Sequence, residues 1–241
     1  MRGLISKNKN ELITAEKMNS GKLDFLEKVA GQVYVAYQKL LVKNQALDFD
    51  DLLMLTVKIW EKFPAVLKKY QDQFQYVLVD EYQDTNHAQY SLLMLLAKKH
   101  RNLCVVGDDA QSIYGFRGAD IRNILNFEKD FPECKVVKLE QNYRSSKNIL
   151  AVANQVILAN KSQKPKELWT ENPAGRRAKV LIGRDEYDEG RQIIRILRSL
   201  HGTIRLKRLS EAVILYRTNA QSRPLEEMLL KNSIPYQLVG G

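Results

Sequence analysis

The chain has 241 residues, 44% of them apolar, enough for one large or two modest domains with a sizeable core. No apolar run approaches the roughly 18 residues that span a bilayer, and MRGLISKNKN lacks the apolar segment of a secretory signal, so a cytoplasmic protein without membrane contact is expected. The net charge of +10 is regional: residues 1–140 carry 20 Lys and Arg against 19 Asp and Glu, whereas residues 141–241 carry 18 against 9. A regional excess favours contact with a polyanion, nucleic acid or anionic lipid, over a merely well-solvated surface. Cys104, inside an apolar run, is expected to be a buried reduced thiol, and Cys134 stands alone.

The first 45 or so residues are predicted to be helical. Leu23, Leu26, Val29, Val33, Tyr37 and Leu40 recur at helical steps and form one stripe, with Lys22, Glu27, Lys28 and Lys39 elsewhere. A second helix begins after Asp48, capped by Asp48 with Asp51 three residues on, and Pro64 marks its end or a new start. Beyond Phe74 strands alternate with helices. Strands are predicted at 76–79, 103–106, 135–139, 179–182, 212–216 and 236–239, with helices near 87–99, 119–130, 146–160, 186–200 and 220–231. This alternation argues for an α/β fold of βαβ units with parallel sheets covered on both faces. A boundary between two lobes falls near 139–145, where the charge balance also shifts, and Lys161–Gly175 is a long polar loop. Ending on Val239, Gly240 and Gly241, directly after a strand candidate, is unusual for a complete domain.

Three segments carry chemistry. The run VLVDEYQDT, Val77–Thr85, reads as a buried strand that ends in Asp80 and Glu81, where open α/β sheets bind ligands. Consecutive residues at a strand end project to opposite sides, so one carboxylate suits a phosphate-bound Mg²⁺ and the other an attacking water; the alternative is that both cap the following helix. In LCVVGDDAQSIYGFRGAD, Leu103–Asp120, Gln111 offers an amide to a γ-phosphate, while Tyr114, Phe116 and Arg117 suit stacking on unpaired bases; ordinary core packing is the alternative for Phe116. In KLEQNYRSS, Lys138–Ser146, Arg144 is placed to neutralise phosphoryl charge or to bridge a surface acid. His87, His100 and His201 are isolated, which favours structural or solvent-facing roles over metal ligation.

With DEYQDT, GDDAQSIYGFRGAD, LEQNYRS and YRTNAQSR (Tyr216–Arg223) in order, the chain resembles the UvrD/Rep/PcrA group of superfamily 1 helicases over nearly its whole length. The resemblance implies an ATP-driven 3′–5′ DNA translocase built on two RecA-like parallel-sheet lobes of P-loop NTPase type. Residues 1–47 would end a helical insertion, 48–140 form the C-terminal part of the first lobe, and 141–241 form the N-terminal part of the second. It implies ATP and Mg²⁺ as cofactors, with Mg²⁺ on Asp80, water activation by Glu81, γ-phosphate sensing by Gln111, adenine stacking by Tyr143 and γ-phosphate contact by Arg144. Single-stranded DNA and single/double-strand junctions are the implied partners, contacted by Tyr114, Phe116, Arg117, Arg217 and Asn219, and DFDDLL, Asp48–Leu53, resembles a segment near the DNA path. The motor of a helicase–nuclease and a catalytically silent nucleic-acid-binding module are the competing readings.

Two departures matter. The group commonly reads GDADQS where this chain has Gly107, Asp108, Asp109, Ala110 and Gln111, and Phe116 stands where a tryptophan is frequent. No phosphate loop with its lysine occurs in the 241 residues: Ser20, Gly21 and Lys22 imitate one, but Glu16 replaces the first glycine, Leu23 the Ser/Thr, and no strand precedes them. The resemblance would place that loop before Met1 and the last motifs after Gly241, so the chain reads as a central piece with both lobes incomplete. An exposed sheet edge in such a piece is a template for self-association.

Overall fold

The computed structural model describes the chain apart from residues 21–23, 162, 204–205 and 240–241. Gly21 and Lys22 of the phosphate-loop imitation, and Leu23 of the first stripe, lie outside the described residues. The chain divides into two units, Met1–Asn172 and Pro173–Gly241. No described helix is long and apolar enough to cross a membrane.

The first unit opens with helices α1 (Arg2–Asn10), α2 (Ala15–Asn19), α3 (Phe25–Lys43), α4 (Phe49–Lys62) and α5 (Pro64–Gln73). Asp48 and Asp51 form the predicted capping box of α4, and Pro64 occupies the first turn of α5, where its missing N–H costs nothing. The α3 stripe is a correction: Leu26, Val33 and Leu40 are exposed, and the buried face is Ala30, Gly31 and Tyr34. Close approach of α2 selects that face. A Cβ on Gly31 would lie 2.3 Å from Asn19 Oδ1, and Asn19 Nδ2 donates to the Gly31 carbonyl at 3.2 Å.

Lys9 of α1, wholly buried, ties this helical layer together. Its ammonium lies 2.7 Å from Asp48 Oδ2 and 2.9 Å from Asp51 Oδ1, and 5.0 Å from the Tyr37 ring centroid. The Tyr37 hydroxyl donates to Asp48 at 3.0 Å and Gln38 Nε2 donates to Asp51 at 3.2 Å. Burial pushes the Asp48 carboxyl up, but the hydrogen bonds from Lys9, the Asp51 N–H and Tyr37 outweigh it and hold the group below the usual carboxylate range.

Strands β1 (Val77–Val79) and β2 (Leu103–Val105) pair in parallel, Val77 opposite Leu103 and Val79 opposite Val105. Val79, Leu103 and Val105 pack towards Tyr82, Phe127 and Phe131. The other face is open, with Leu78 and the free thiol of Cys104 exposed, so neither the run nor the cysteine is buried as expected. Helix α6 (His87–Ala97) lies between the strands; α7 (Arg122–Leu125), α8 (Phe127–Asp130) and α9 (Lys147–Ile157) follow. His100 Nε2 sits 3.0 Å from the Gln71 carbonyl.

The strand predictions at 135–139, 179–182, 212–216 and 236–239 are also corrected: none carries a backbone ladder. A strand exists by pairing, and these apolar runs have no neighbouring strand among the described residues; Val180 and Leu215 are 90% and 89% exposed. The second unit is instead organised by α10 (Glu186–Leu200) against α11 (Ser222–Lys231), with Ile194 and Leu229 buried. Gly190 permits this contact, since a Cβ there would meet Met228 Cγ at 2.8 Å.

Removing Lys9 strands two carboxylates beside buried Tyr34. Lys9→Met should destabilise the first unit by about 3 to 5 kcal/mol, as breaking one side of a buried pair does. Urea unfolding checks it, and a loss below about 1 kcal/mol would contradict the buried cluster. Because the Asp48 carboxyl is depressed on folding, its contribution is present above the ordinary carboxylate range and fades only as pH falls through its lower folded value.

Candidate functional site

Asp80 and Glu81 follow β1 and line a cleft of 380 Å³ with Leu53, Asp84 and Thr85. They share this cleft because the chain leaves the strand immediately: Glu81 adopts φ 51°, the left-handed region, which overrides the strand alternation expected to separate them. Neither caps α6, whose capping box is Asn86 with Gln89. Asp80 Oδ1 accepts the Glu81 N–H at 2.9 Å, and both side chains are exposed. Asp84 has one carboxylate oxygen buried without a hydrogen-bond partner; burial first, and then the Glu81 charge, push its carboxyl up.

The residue that organises the site, Gln83, was not singled out by its sequence pattern. Only 1% exposed, it donates from Nε2 to Glu81 Oε2 at 2.7 Å and accepts the Asp108 N–H on Oε1 at 2.9 Å. Ser112 Oγ donates to its carbonyl at 3.2 Å. Gly107 makes the approach possible, because a Cβ there would lie 2.6 Å from Gln83 Oε1. Asp108 in turn accepts from Gln111 Nε2 at 2.7 Å and from the Ala110 N–H at 3.0 Å. The predicted residues Glu81 and Gln111 are thus joined through Gln83 and Asp108.

Lys166, from the polar loop 161–175, ion-pairs with Asp108 and lies 2.5 Å from Asp109 Oδ1. Burial draws the Asp108 carboxyl up and the Lys166 ammonium down, yet their hydrogen bonds win, leaving Asp108 below and Lys166 above their ordinary ranges. Sequence reading missed this lysine, since its partners are 57 and 58 residues away.

Beyond Gln111 the loop turns outward. Phe116 is 80% exposed, which removes core packing as its role, and the Arg117 guanidinium lies 5.3 Å and 5.6 Å from the Tyr114 and Phe116 ring centroids. Gly118, at φ 91°, closes the turn, and the Asp120 N–H donates to the Thr85 carbonyl at 3.0 Å, anchoring the loop beside the acidic turn. Asn142 Oδ1 accepts the N–H groups of Arg144 and Ser145, and Asn172 Nδ2 donates to the Tyr143 and Ser145 carbonyls. This bracing leaves the Tyr143 ring exposed; its hydroxyl donates to Gln141 at 2.9 Å, and Arg144 makes no ion pair among the described residues. In the second unit, Gln221 Oε1 accepts the N–H groups of Arg217 and Thr218, and Asn219 opens a 3₁₀ turn, Asn219–Gln221. Both Arg217 and Asn219 are exposed.

The family model for the UvrD/REP helicase N-terminal domain matches residues 1–132, and that for the UvrD-like helicase C-terminal domain matches residues 137–241. The chain is 53% identical over 239 residues to the ATP-dependent DNA helicase PcrA of Bacillus subtilis strain 168, covering 99% of this chain and 32% of the relative. It is 52% identical over 240 residues to PcrA of Staphylococcus aureus strain Mu50, with the same coverage. The chain therefore spans about a third of the length of the curated relatives it matches. It belongs to the UvrD/Rep helicase family.

Proposed function

We propose that the chain supplies part of an ATP-dependent DNA helicase, one that couples ATP hydrolysis to 3′–5′ movement on single-stranded DNA. One observation carries the reading: a continuous hydrogen-bonded path runs from Glu81 through Gln83 and Asp108 to Gln111, and exposed aromatics follow within the same loop. A change at the carboxylate end is thereby transmitted to the surface that meets the strand.

In this reading residues 48–140 belong to the first RecA-like lobe and 141–241 to the second, with 1–47 ending a helical insertion. The parallel β1–β2 pair, with its carboxylates beyond a strand C-terminus, supports the first assignment. Glu81 is the general base, Gln111 senses the γ-phosphate, Arg144 neutralises phosphoryl charge and Tyr143 stacks on adenine. Asp80 suits Mg²⁺, because its carboxylate is an exposed hard-oxygen donor. When bound, that ion would offset phosphate charge. Tyr114, Phe116 and Arg117 contact unpaired bases, and Arg217 and Asn219 contact the strand from the second unit.

The 241 residues alone should turn over little ATP, since they contain no lysine-bearing phosphate loop. A DNA-stimulated ATPase assay on this chain checks this; turnover on the order of one per second or faster would overturn the dependence of hydrolysis on such a loop. In a full-length helicase carrying this segment, Glu81→Gln should keep ATP binding and lose most hydrolysis, whereas Asp80→Asn should shift the Mg²⁺ dependence. Identical defects from both would contradict separate roles.

Stacking and charge should separate in a salt series. Phe116→Ala should weaken oligo-dT binding by about 1 to 3 kcal/mol while leaving the salt slope unchanged, because stacking releases no counterions. Unchanged affinity in fluorescence titrations would remove Phe116 from the DNA contact.

A further inference from the structure

The loop that follows α9 is not a passive connection. Its Lys164–Thr170 stretch is tied on two sides. On one, Lys166 pairs with Asp108 and Asp109, the Lys164 N–H donates to Asp109 Oδ2 at 2.6 Å, and the Lys164 ammonium lies 3.0 Å from Glu128. On the other, Lys138 Nζ donates to the Pro165 carbonyl at 2.7 Å, the Trp169 N–H donates to the Glu140 carbonyl at 3.0 Å, and the Asn142 N–H donates to the Trp169 carbonyl at 2.7 Å. The acids belong to the segment matched by the N-terminal family model, and Lys166 to the one matched by the C-terminal model.

Asp109 explains why this strap is needed. It stands at one of the two positions where the loop departs from the commoner GDADQ order, and its side chain is buried, 6% exposed. A buried carboxylate requires a partner, and both its oxygens have one: Oδ1 faces the Lys166 ammonium and Oδ2 accepts the Lys164 N–H. The same ammonium takes Asp108 Oδ1, leaving Asp108 Oδ2 for the Gln111 amide.

We propose that Lys166 is a positioning residue for Gln111: a cation from the second family segment neutralises Asp108 and Asp109 together, fixing the loop so that Asp108 presents the Gln111 amide. The γ-phosphate role of Gln111 rests on the reading proposed above; the clamp itself does not. Breaking the clamp would loosen the tie between the Gln111 loop and the strap while removing no bond that Glu81 or Asp80 makes directly.

The test uses the 241-residue chain without nucleotide or DNA, so its failure is separable from failure of the helicase reading. Hydrogen exchange and carboxyl titration by NMR are compared for the wild type, Lys166→Ala and Lys166→Arg. In Lys166→Ala, the Ala110 and Lys164 amides should exchange at least about tenfold faster, as expected when a local opening becomes easier. The Asp108 titration midpoint should rise, the α3 amides should stay unchanged, and Lys166→Arg should restore both signals. Wild-type rates and midpoint in Lys166→Ala would overturn the proposal. If Lys166→Ala accelerates exchange in α3 as well, Asp109→Ala decides: the Lys164 amide alone should lose protection, and full protection there would overturn it.

Discussion

A single buried amide holds the candidate site together. Gln83 has two bonding ends, and the structure uses both: Nε2 on the Glu81 carboxylate, Oε1 on the Asp108 backbone. Because it is buried, losing either bond would leave an unsatisfied polar group, which costs more than an ordinary surface hydrogen bond contributes. The turn after β1 and the loop after β2 are therefore constrained to move together. Gly107 is the steric condition for this constraint, and the left-handed Glu81 is its backbone consequence on the other side.

Charge is distributed to match. The helical layer before β1 resolves its buried charges internally, around Lys9, Asp48 and Asp51. The Gln111 loop does not: its two acids take their cation from Lys166. The geometry of the Gln111 loop therefore depends on a segment 57 and 58 residues away in sequence staying docked. The exposed Tyr114, Phe116 and Arg117 are the outward end of that loop, and Asn142 and Asn172 brace the neighbouring Tyr143 and Arg144 turn without covering the ring.

Local rules were legible where local physics decides. The Asp48 cap, the Pro64 helix start, the strands carrying VLV and LCV, and helices α6, α9, α10 and α11 all follow from capping, periodicity or apolar runs. What failed depended on neighbours. The 179–182 and 212–216 runs have strand composition but no ladder, since pairing is a property of two segments. The buried face of α3 was set by Asn19 meeting Gly31, not by the largest apolar side chains, and Cys104 lies on the uncovered face of a two-stranded sheet. Within the site, the catalytic and stacking candidates could be read from their motifs, but Gln83 and Lys166 could not: an amide inside a motif and a lysine in a polar loop acquire meaning only from partners brought close by folding.

The most direct test of this account is the protection of the Asp108 amide in Gln83→Met, a swap that keeps side-chain length and removes both hydrogen-bonding ends. If Gln83 joins the two turns, native-state hydrogen exchange will show the Asp108 N–H opening at least about tenfold more readily, with the Tyr82 and Val106 amides of the adjoining strand ends affected less and α3 unaffected. Full wild-type protection of the Asp108 amide in that variant would contradict the account.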